Sequence, residues 1–406
     1  MWPFSSSKRL RGIPHGTGMY FVGCMDIMTR LSMEGSFLRL YYPSAVADAK
    51  VPIATSKQPP WLPRREYSDG YADFIKITTK ALKSFFHWLL ASYTVPVHWK
   101  GPLLPSELKS TFPVVVFSHG LGANRTTYSS VCLNLASQGF IVAAVEHRDQ
   151  SASATYYLHQ SDDSEELIEQ WVPYERPIPG QDEFPLRNRQ VVARAEECKK
   201  AFDILEKINR GVEITNIVDR QTDLQQFKDR LDLTKAAIAG HSFGAATSLQ
   251  TLKTDERFRC ALALDTWMLP LDKTLPSQVN QPILFVNTET FHWPGNIVKM
   301  KRFLKDNGEM SEERKIITIM GTVHQSQSDF PFLLNTVLAK LSKCRGTLDP
   351  YVAMAINNNA SLTFLCKHLD IPCEANFDSI LEGKHDHVIL GSNVTLDPNY
   401  KKKSGL

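Results

Sequence analysis

Six short apolar runs constrain this chain more than any other feature: Val114–Phe117, Ile141–Val145, Ala236–Ala239, Ala261–Leu264, Ile283–Val286 and Ile316–Ile319. Each ends in turn or polar residues and is separated from the next by helix-compatible sequence. That is the pattern of strands buried on both faces of a parallel sheet. Between Asn188 and Asn209, Val191, Ala195, Cys198, Phe202, Leu205 and Ile208 recur every three or four residues, which predicts a helix lying on that sheet with its opposite, polar face solvated. The alternation predicts an α/β fold with a mostly parallel central sheet flanked by helices.

The chain has 406 residues, 43% of them apolar and 22% charged, so a large core is within reach and wholesale disorder is excluded. Lysine and arginine outnumber the acids by 46 to 43, a net charge of +3, which is too small an excess for a nucleic-acid binder. Seven cysteines without metal-type spacing read as reduced, buried thiols. Met1–Tyr20 carries Lys8, Arg9 and Arg11 but no continuous apolar run, and residue 2 is Trp, so neither a cleaved secretory signal nor amino-terminal myristoylation is expected. Glycosylation-type triplets begin at Asn124, Asn359 and Asn393 but carry no meaning in the cytoplasmic protein expected here. Three segments are expected: an amino-terminal extension over 1–20, a single α/β domain over 21–395 and a basic tail over 396–406 containing Lys401, Lys402 and Lys403. The acidic stretch from Ser161 to Glu169 reads as a surface excursion that continues to Pro185.

Gly240-His241-Ser242-Phe243-Gly244 has the G-x-S-x-G pattern and lies between a predicted strand and a helix-compatible run. The serine of such an elbow sits in a strained turn, and small residues on either side let strand and helix approach. Gly240, Gly244, Ala245 and Ala246 supply that room, which makes Ser242 the candidate nucleophile.

A nucleophilic serine needs a base, and His324 follows the run Lys315–Ile319 and the turn at Gly321, where a hydrolase of this order would put it. His292 lies in a proline-containing loop, and His368, His385 and His387 lie near the end of the chain. Two acids stand at strand ends between nucleophile and base, Asp265 and Glu289, and chain order does not separate them. For the developing oxyanion, the Phe243 N–H is one donor, and the Leu121 N–H in Ser118-His119-Gly120-Leu121-Gly122 is the candidate for the other.

These segments together resemble the platelet-activating factor acetylhydrolases, most of all the intracellular type II enzyme. The resemblance runs through Val22-Gly23-Cys24, Phe117–Ala123, Val145–Asp149, Ser151–Tyr157, the elbow itself, Phe258-Arg259-Cys260, Ala263–Met268, His324-Gln325 and Lys367-His368-Leu369. It implies an α/β-hydrolase fold and Asp265 as the acid, because that family's aspartate lies in the Leu-Asp-x-Trp-Met segment. It also implies calcium-independent, phospholipase A2-type hydrolysis of the sn-2 acyl group of platelet-activating factor and of phospholipids with short or oxidised chains. Two departures stand out: Gly244-Ala245 replaces the usual Gly-Gly, and the acylated glycine at residue 2 is missing.

A lipid substrate calls for a docking surface. Lys76, Lys80, Lys83 and His87 form one stripe at helical spacing, opposite Phe74, Ala81, Leu82, Phe85, Trp88 and Leu89. Phe85, Trp88 and Leu89 are the candidate contacts with a membrane or lipid aggregate, and the apolar run Phe330–Leu341 is a second candidate segment. Trp267 and Gln325, next to the acid and the base, are pocket candidates. Neither an HExxH motif nor a phosphate-cradling glycine loop occurs, so no metal or other cofactor is expected. A general carboxylesterase or acyltransferase would use the same triad and differ in the acyl group or its acceptor. A non-catalytic binding module of the same fold need not keep nucleophile, acid, base and oxyanion loop together.

Overall fold

The computed structural model of the chain describes residues 12–45, 58–161, 165–306, 309–372 and 378–396. Met1–Arg11 of the expected extension and the tail lysines Lys401–Lys403 lie outside them.

The sheet strands are β1 (Phe21–Met28), β2 (Phe37–Ser44), β3 (His98–Trp99), β4 (Phe112–Ser118) and β5 (Ile141–Val145). A separate hairpin of β6 (Ala154–Gln160) and β7 (Leu167–Pro173) follows; the sheet then continues with β8 (Leu231–His241), β9 (Cys260–Leu264) and β10 (Ile283–Thr288). After a minimal hairpin, β11 (Lys305–Asp306) and β12 (Glu309–Met310), come the last sheet strands, β13 (Arg314–Ile319) and β14 (Val388–Leu390). The ten-stranded order is β14-β13-β10-β9-β8-β4-β5-β2-β1-β3. All six runs expected as strands form its contiguous parallel centre, β13 to β5. Strand β2 pairs antiparallel with β5, β1 antiparallel with β2, and β14 antiparallel with β13.

Period-two alternation sends successive side chains of one strand into two cores. In β4, Val115 and Phe117 enter one core and Val114 and Val116 the other; in β8, Ala237 and Ala239 oppose Ala236 and Ile238. The first core is covered by α1 (Arg65–Phe74), α3 (Ser129–Ser137) and α9 (Pro350–His368), with α2 (Lys80–Ala91) outside α1. The second is covered by α4 (Phe184–Asn209), α5 (Phe243–Thr254) and α6 (Pro294–Arg302). Residues 12–20 run against α3: Thr17 bonds Asn134, and Gly18 bonds Ser137. The six described cysteines are buried and form no disulfide with one another, and Asn124 of the first glycosylation-type triplet is buried too.

Three expectations need correction. The polar side of α4 is not simply solvated, since Arg187, Gln190 and Arg194 are buried among hydrogen-bond partners. The docking stripe is not one helix: α1 stops at Phe74, Lys76 takes a positive φ of 64°, and α2 begins only at Lys80. Phe74 and Lys76 therefore lie off the α2 surface. The run Phe330–Leu341 breaks at Leu334 into α7 (Phe330–Leu333) and α8 (Thr336–Leu341), because Asn335 caps α8 by accepting the Leu338 N–H at 2.8 Å. Phe332 and Leu333 are core residues, while Val337 and Leu341 are exposed.

Candidate active site

Strand β8 ends at His241, and α5 begins at Phe243, so Ser242 alone makes the turn, with φ 59° and ψ −114°. This is a sparsely populated conformation for a residue with a Cβ, and it persists only where neighbours enforce it. The enforcing contacts are close. A Cβ on Gly240 would lie 2.2 Å from the Gly244 carbonyl oxygen, and one on Gly244 would lie 2.0 Å from that of Ser118. The Ser242 N–H donates to Leu264 O at 2.8 Å, and the Ser242 carbonyl accepts the Trp267 N–H at 3.2 Å, which binds the elbow to the end of β9. Ser242 is 8% exposed, and among the described residues its hydroxyl is uncommitted.

Asp265, also at positive φ (46°), follows β9 and is fully buried. Its Oδ2 accepts from His324 Nδ1 at 2.8 Å and from Thr288 Oγ1 at 2.5 Å; its Oδ1 accepts from the Thr288 N–H at 2.6 Å and from His292 Nε2 at 3.0 Å. Burial alone would raise this carboxyl's pKa, but the hydrogen bonds from His292 and His324 outweigh it and hold the carboxyl well below the usual carboxylate range. Glu289 is spent elsewhere: it accepts the Gly321 N–H at 2.5 Å and so braces the loop before His324. Geometry thus separates the two acids that chain order left equal.

The His324 imidazole lies in a 3-10 turn, His324–Gln327, after β13. It is held between two rings, with Phe291 stacked at 3.7 Å and 14° on one side and His241 at 4.4 Å on the other. With Nδ1–H given to Asp265, Nε2 is left as the basic nitrogen. His241 is the hub. Its Nε2 donates to the His324 carbonyl at 3.1 Å, its Nδ1 accepts from the Tyr128 hydroxyl at 2.9 Å, and that hydroxyl accepts the Gly120 N–H at 3.2 Å. Burial, reinforced by the nearby His324, pushes the His241 pKa well below its ordinary value. His241, Asp265 and His324 present potential ligand atoms within 4.8 Å of one another. Both His241 nitrogens and His324 Nδ1 are already engaged in hydrogen bonds, an arrangement suited to moving a proton.

The loop after β4 is set from below. Arg194, on α4, donates to the His119 carbonyl at 2.5 Å and to Ser151 Oγ at 2.7 Å, and its guanidinium lies 4.5 Å above the Phe243 ring. The His119 ring donates from Nδ1 to Gly120 O at 2.8 Å and accepts the His147 N–H at Nε2. Within this frame Gly122 turns at φ 68°, and the Leu121 and Phe243 N–H groups make no hydrogen bond to the described residues. Two uncommitted donors flanking a strained serine can receive a developing oxyanion. Leu121 is half-buried and Phe243 fully buried. Trp267 is half-buried, edge-on to Phe243 at 5.7 Å. The Gln325 amide oxygen accepts from Ser328 Oγ at 2.9 Å, so this side chain braces the turn after His324. Sequence reading missed Tyr128, Arg194, Phe291 and His292, and it quoted His241 only as part of the pentad. Only His292, a second histidine soon after a strand end, left any signal.

The family described as platelet-activating factor acetylhydrolase, isoform II, matches residues 5–388. The chain belongs to this family. It is 42% identical to the platelet-activating factor acetylhydrolase of Gallus gallus over 395 residues, 95% of this chain and 90% of that one. Identity to the enzyme of the same name from Bos taurus is 43% over 387 residues, covering 94% and 83% respectively. A putative phospholipase A2 of Schizosaccharomyces pombe is 29% identical over 410 residues, with 88% of this chain and 87% of the relative covered. Among solved structures, a ferulic acid esterase from Streptomyces cinnamoneus superposes with a TM-score of 0.60 at 17% identity, covering 94% of this chain and 99% of the esterase, which supports the α/β-hydrolase fold.

Proposed function

We propose that this chain is a serine esterase that removes the sn-2 acyl group of platelet-activating factor and of phospholipids with short or oxidised sn-2 chains, without calcium. The observation that carries the chemistry is the buried, ionised Asp265 bonded to His324 beside the strained Ser242 elbow. Family membership carries the substrate class. Ser242 Oγ attacks the ester carbonyl as His324 Nε2 takes its proton, and the Leu121 and Phe243 N–H groups stabilise the oxyanion. Asp265 orients the imidazole and stabilises its cation. His324 then returns the proton to the departing lysophospholipid oxygen; water, deprotonated by the same nitrogen, frees Ser242 and releases the carboxylate. Acetate release from a 2-acetyl phosphatidylcholine in the presence of a chelator tests this. Full activity that vanishes in Ser242→Ala supports the reading, and activity that needs added calcium overturns its calcium-independent part. Weak release from a long-chain phosphatidylcholine separates it from a general carboxylesterase, and acyl transfer to added lysophospholipid would favour a transferase.

The same reading places the enzyme in the cytoplasm, peripheral at lipid surfaces. None of the described helices is long and apolar enough to cross a membrane. Helix α2 turns its polar stripe inward onto α1, Lys83 pairing with Asp73 and His87 Nδ1 with Ser68 Oγ. Leu82, Phe85 and Trp88 consequently face outward, 55%, 55% and 70% exposed, while Leu89 is half-buried. Tyr93, just beyond α2, donates to the Leu333 carbonyl at the end of α7 at 2.5 Å, and Val337 and Leu341 of the following α8 are exposed. A helix with its apolar face outward and cations at its flank suits an interfacial membrane contact.

A further inference from the structure

Asp265 holds two imidazoles, and the second has no part in the acyl-transfer scheme. The His292 side chain is 1% exposed and donates from Nε2 to Asp265 Oδ1 at 3.0 Å, the oxygen that His324 does not use. Its other nitrogen meets Asn296, on α6, whose Nδ2 lies 2.9 Å from His292 Nδ1.

The orientation of the Asn296 amide follows from the backbone. Its Oδ1 lies 2.9 Å from the Met268 N–H, which can only donate, and its Nδ2 lies 2.8 Å from the Thr266 carbonyl, which can only accept. The amide is therefore not free to flip, and its Nδ2 presents a proton to His292 Nδ1. That nitrogen must be bare, so the ring carries its proton on Nε2 and donates it to Asp265. With Oδ1 occupied by His292 and the Thr288 N–H, Oδ2 is left to Thr288 Oγ1 and His324 Nδ1. The backbone of the Thr266–Met268 segment, two residues past the strand that also anchors Ser242, thus fixes which nitrogen of the base is free.

We infer that Asn296 and His292 form a tautomer relay, in which His292 is a positioning residue that fixes the rotation of the Asp265 carboxylate and thereby keeps the His324 proton on Nδ1 and Nε2 free for Ser242. The relay transfers no proton. It rests on the triad reading, since it acts through Asp265 and His324.

Nitrogen-15 NMR of histidine side chains in the wild-type enzyme reads the relay directly. His292 is expected to show a protonated Nε2 and a bare Nδ1, and the opposite tautomer would overturn the inference. In kinetics, His292→Leu is expected to lower kcat about 10- to 100-fold, as loss of one hydrogen bond to a charged group implies, with KM nearly unchanged. His292→Gln, whose amide N–H can stand in for Nε2–H, is expected to stay within about threefold of wild type. A folded Leu variant with wild-type kcat, or a Gln variant as impaired as the Leu variant, would overturn the relay. The NMR result stands on wild-type protein even if the Leu variant does not fold, and it is independent of whether Ser242→Ala abolishes hydrolysis, so the relay and the triad can fail separately.

Discussion

The rings of His241 and His324 lie 4.4 Å apart, and His241 Nε2 donates to the His324 carbonyl at 3.1 Å. The residue before Ser242 thus grips His324 through its backbone. Through Tyr128, its other nitrogen reaches Gly120 in the loop that presents the Leu121 N–H.

His241→Phe keeps a ring beside His324 but removes both hydrogen bonds. We expect kcat to fall about tenfold or more, the cost of displacing groups that must be aligned in the transition state, with a smaller change in KM. Steady-state kinetics on a 2-acetyl phospholipid would show it; unchanged kcat would mean that the two loops are set independently.

Gly240→Ala would drive a methyl group to 2.2 Å from the Gly244 carbonyl, a backbone atom that cannot swing away. We expect a loss of about 2–3 kcal/mol or failure to accumulate folded protein, measured by urea unfolding, whereas overpacking at a yielding site costs less. Ala at this position with wild-type stability would contradict the close strand–helix approach.

Asp329 provides a pH test of the frame. It is fully buried, bonding the N–H groups of Ser129 and Ser130 and the Trp61 indole, and burial pushes its carboxyl up to about 6 from 3.8 despite those bonds. A raised carboxyl binds its proton more tightly when folded, so its contribution to stability is greatest below about pH 4, declines as pH rises to about 6, and is level above. The stability of wild type minus that of Asp329→Asn is therefore expected to drift against wild type between about pH 4 and about pH 6. A difference that grows in favour of wild type over that interval would reverse the assigned direction.

Much of the sheet was legible because its central strands are buried on both faces and read as continuous apolar runs. The flanking strands were not: β1 carries Gly23 and Asp26, and β2 carries Arg39 and Pro43, so neither shows a clean run. Arg39 is buried against Asp26 at 2.7 Å, a tertiary pairing invisible in local sequence. The elbow at Ser242 and the position of His324 were legible because a G-x-S-x-G turn and a histidine after a strand end each leave a local mark. Arg194 and Tyr128 were not, because they act on loops far along the chain. Asp265 and Glu289 looked alike until folding placed one on His324 and the other on Gly321.

Phe85→Asp combined with Trp88→Asp is expected to weaken binding to phosphatidylcholine vesicles while leaving hydrolysis of a soluble short-chain substrate within about twofold, since both side chains face outward and touch no residue of the site. Co-sedimentation measures the first and ester hydrolysis the second. Unchanged vesicle binding would move the docking surface elsewhere.

The central claim is that Ser242 is the nucleophile that His324 and Asp265 activate. Labelling of the purified protein by a fluorophosphonate tests it most directly. The account predicts stoichiometric modification at Ser242, lost in Ser242→Ala and greatly slowed in His324→Gln; labelling that persists in Ser242→Ala, or none in the wild type, would contradict it.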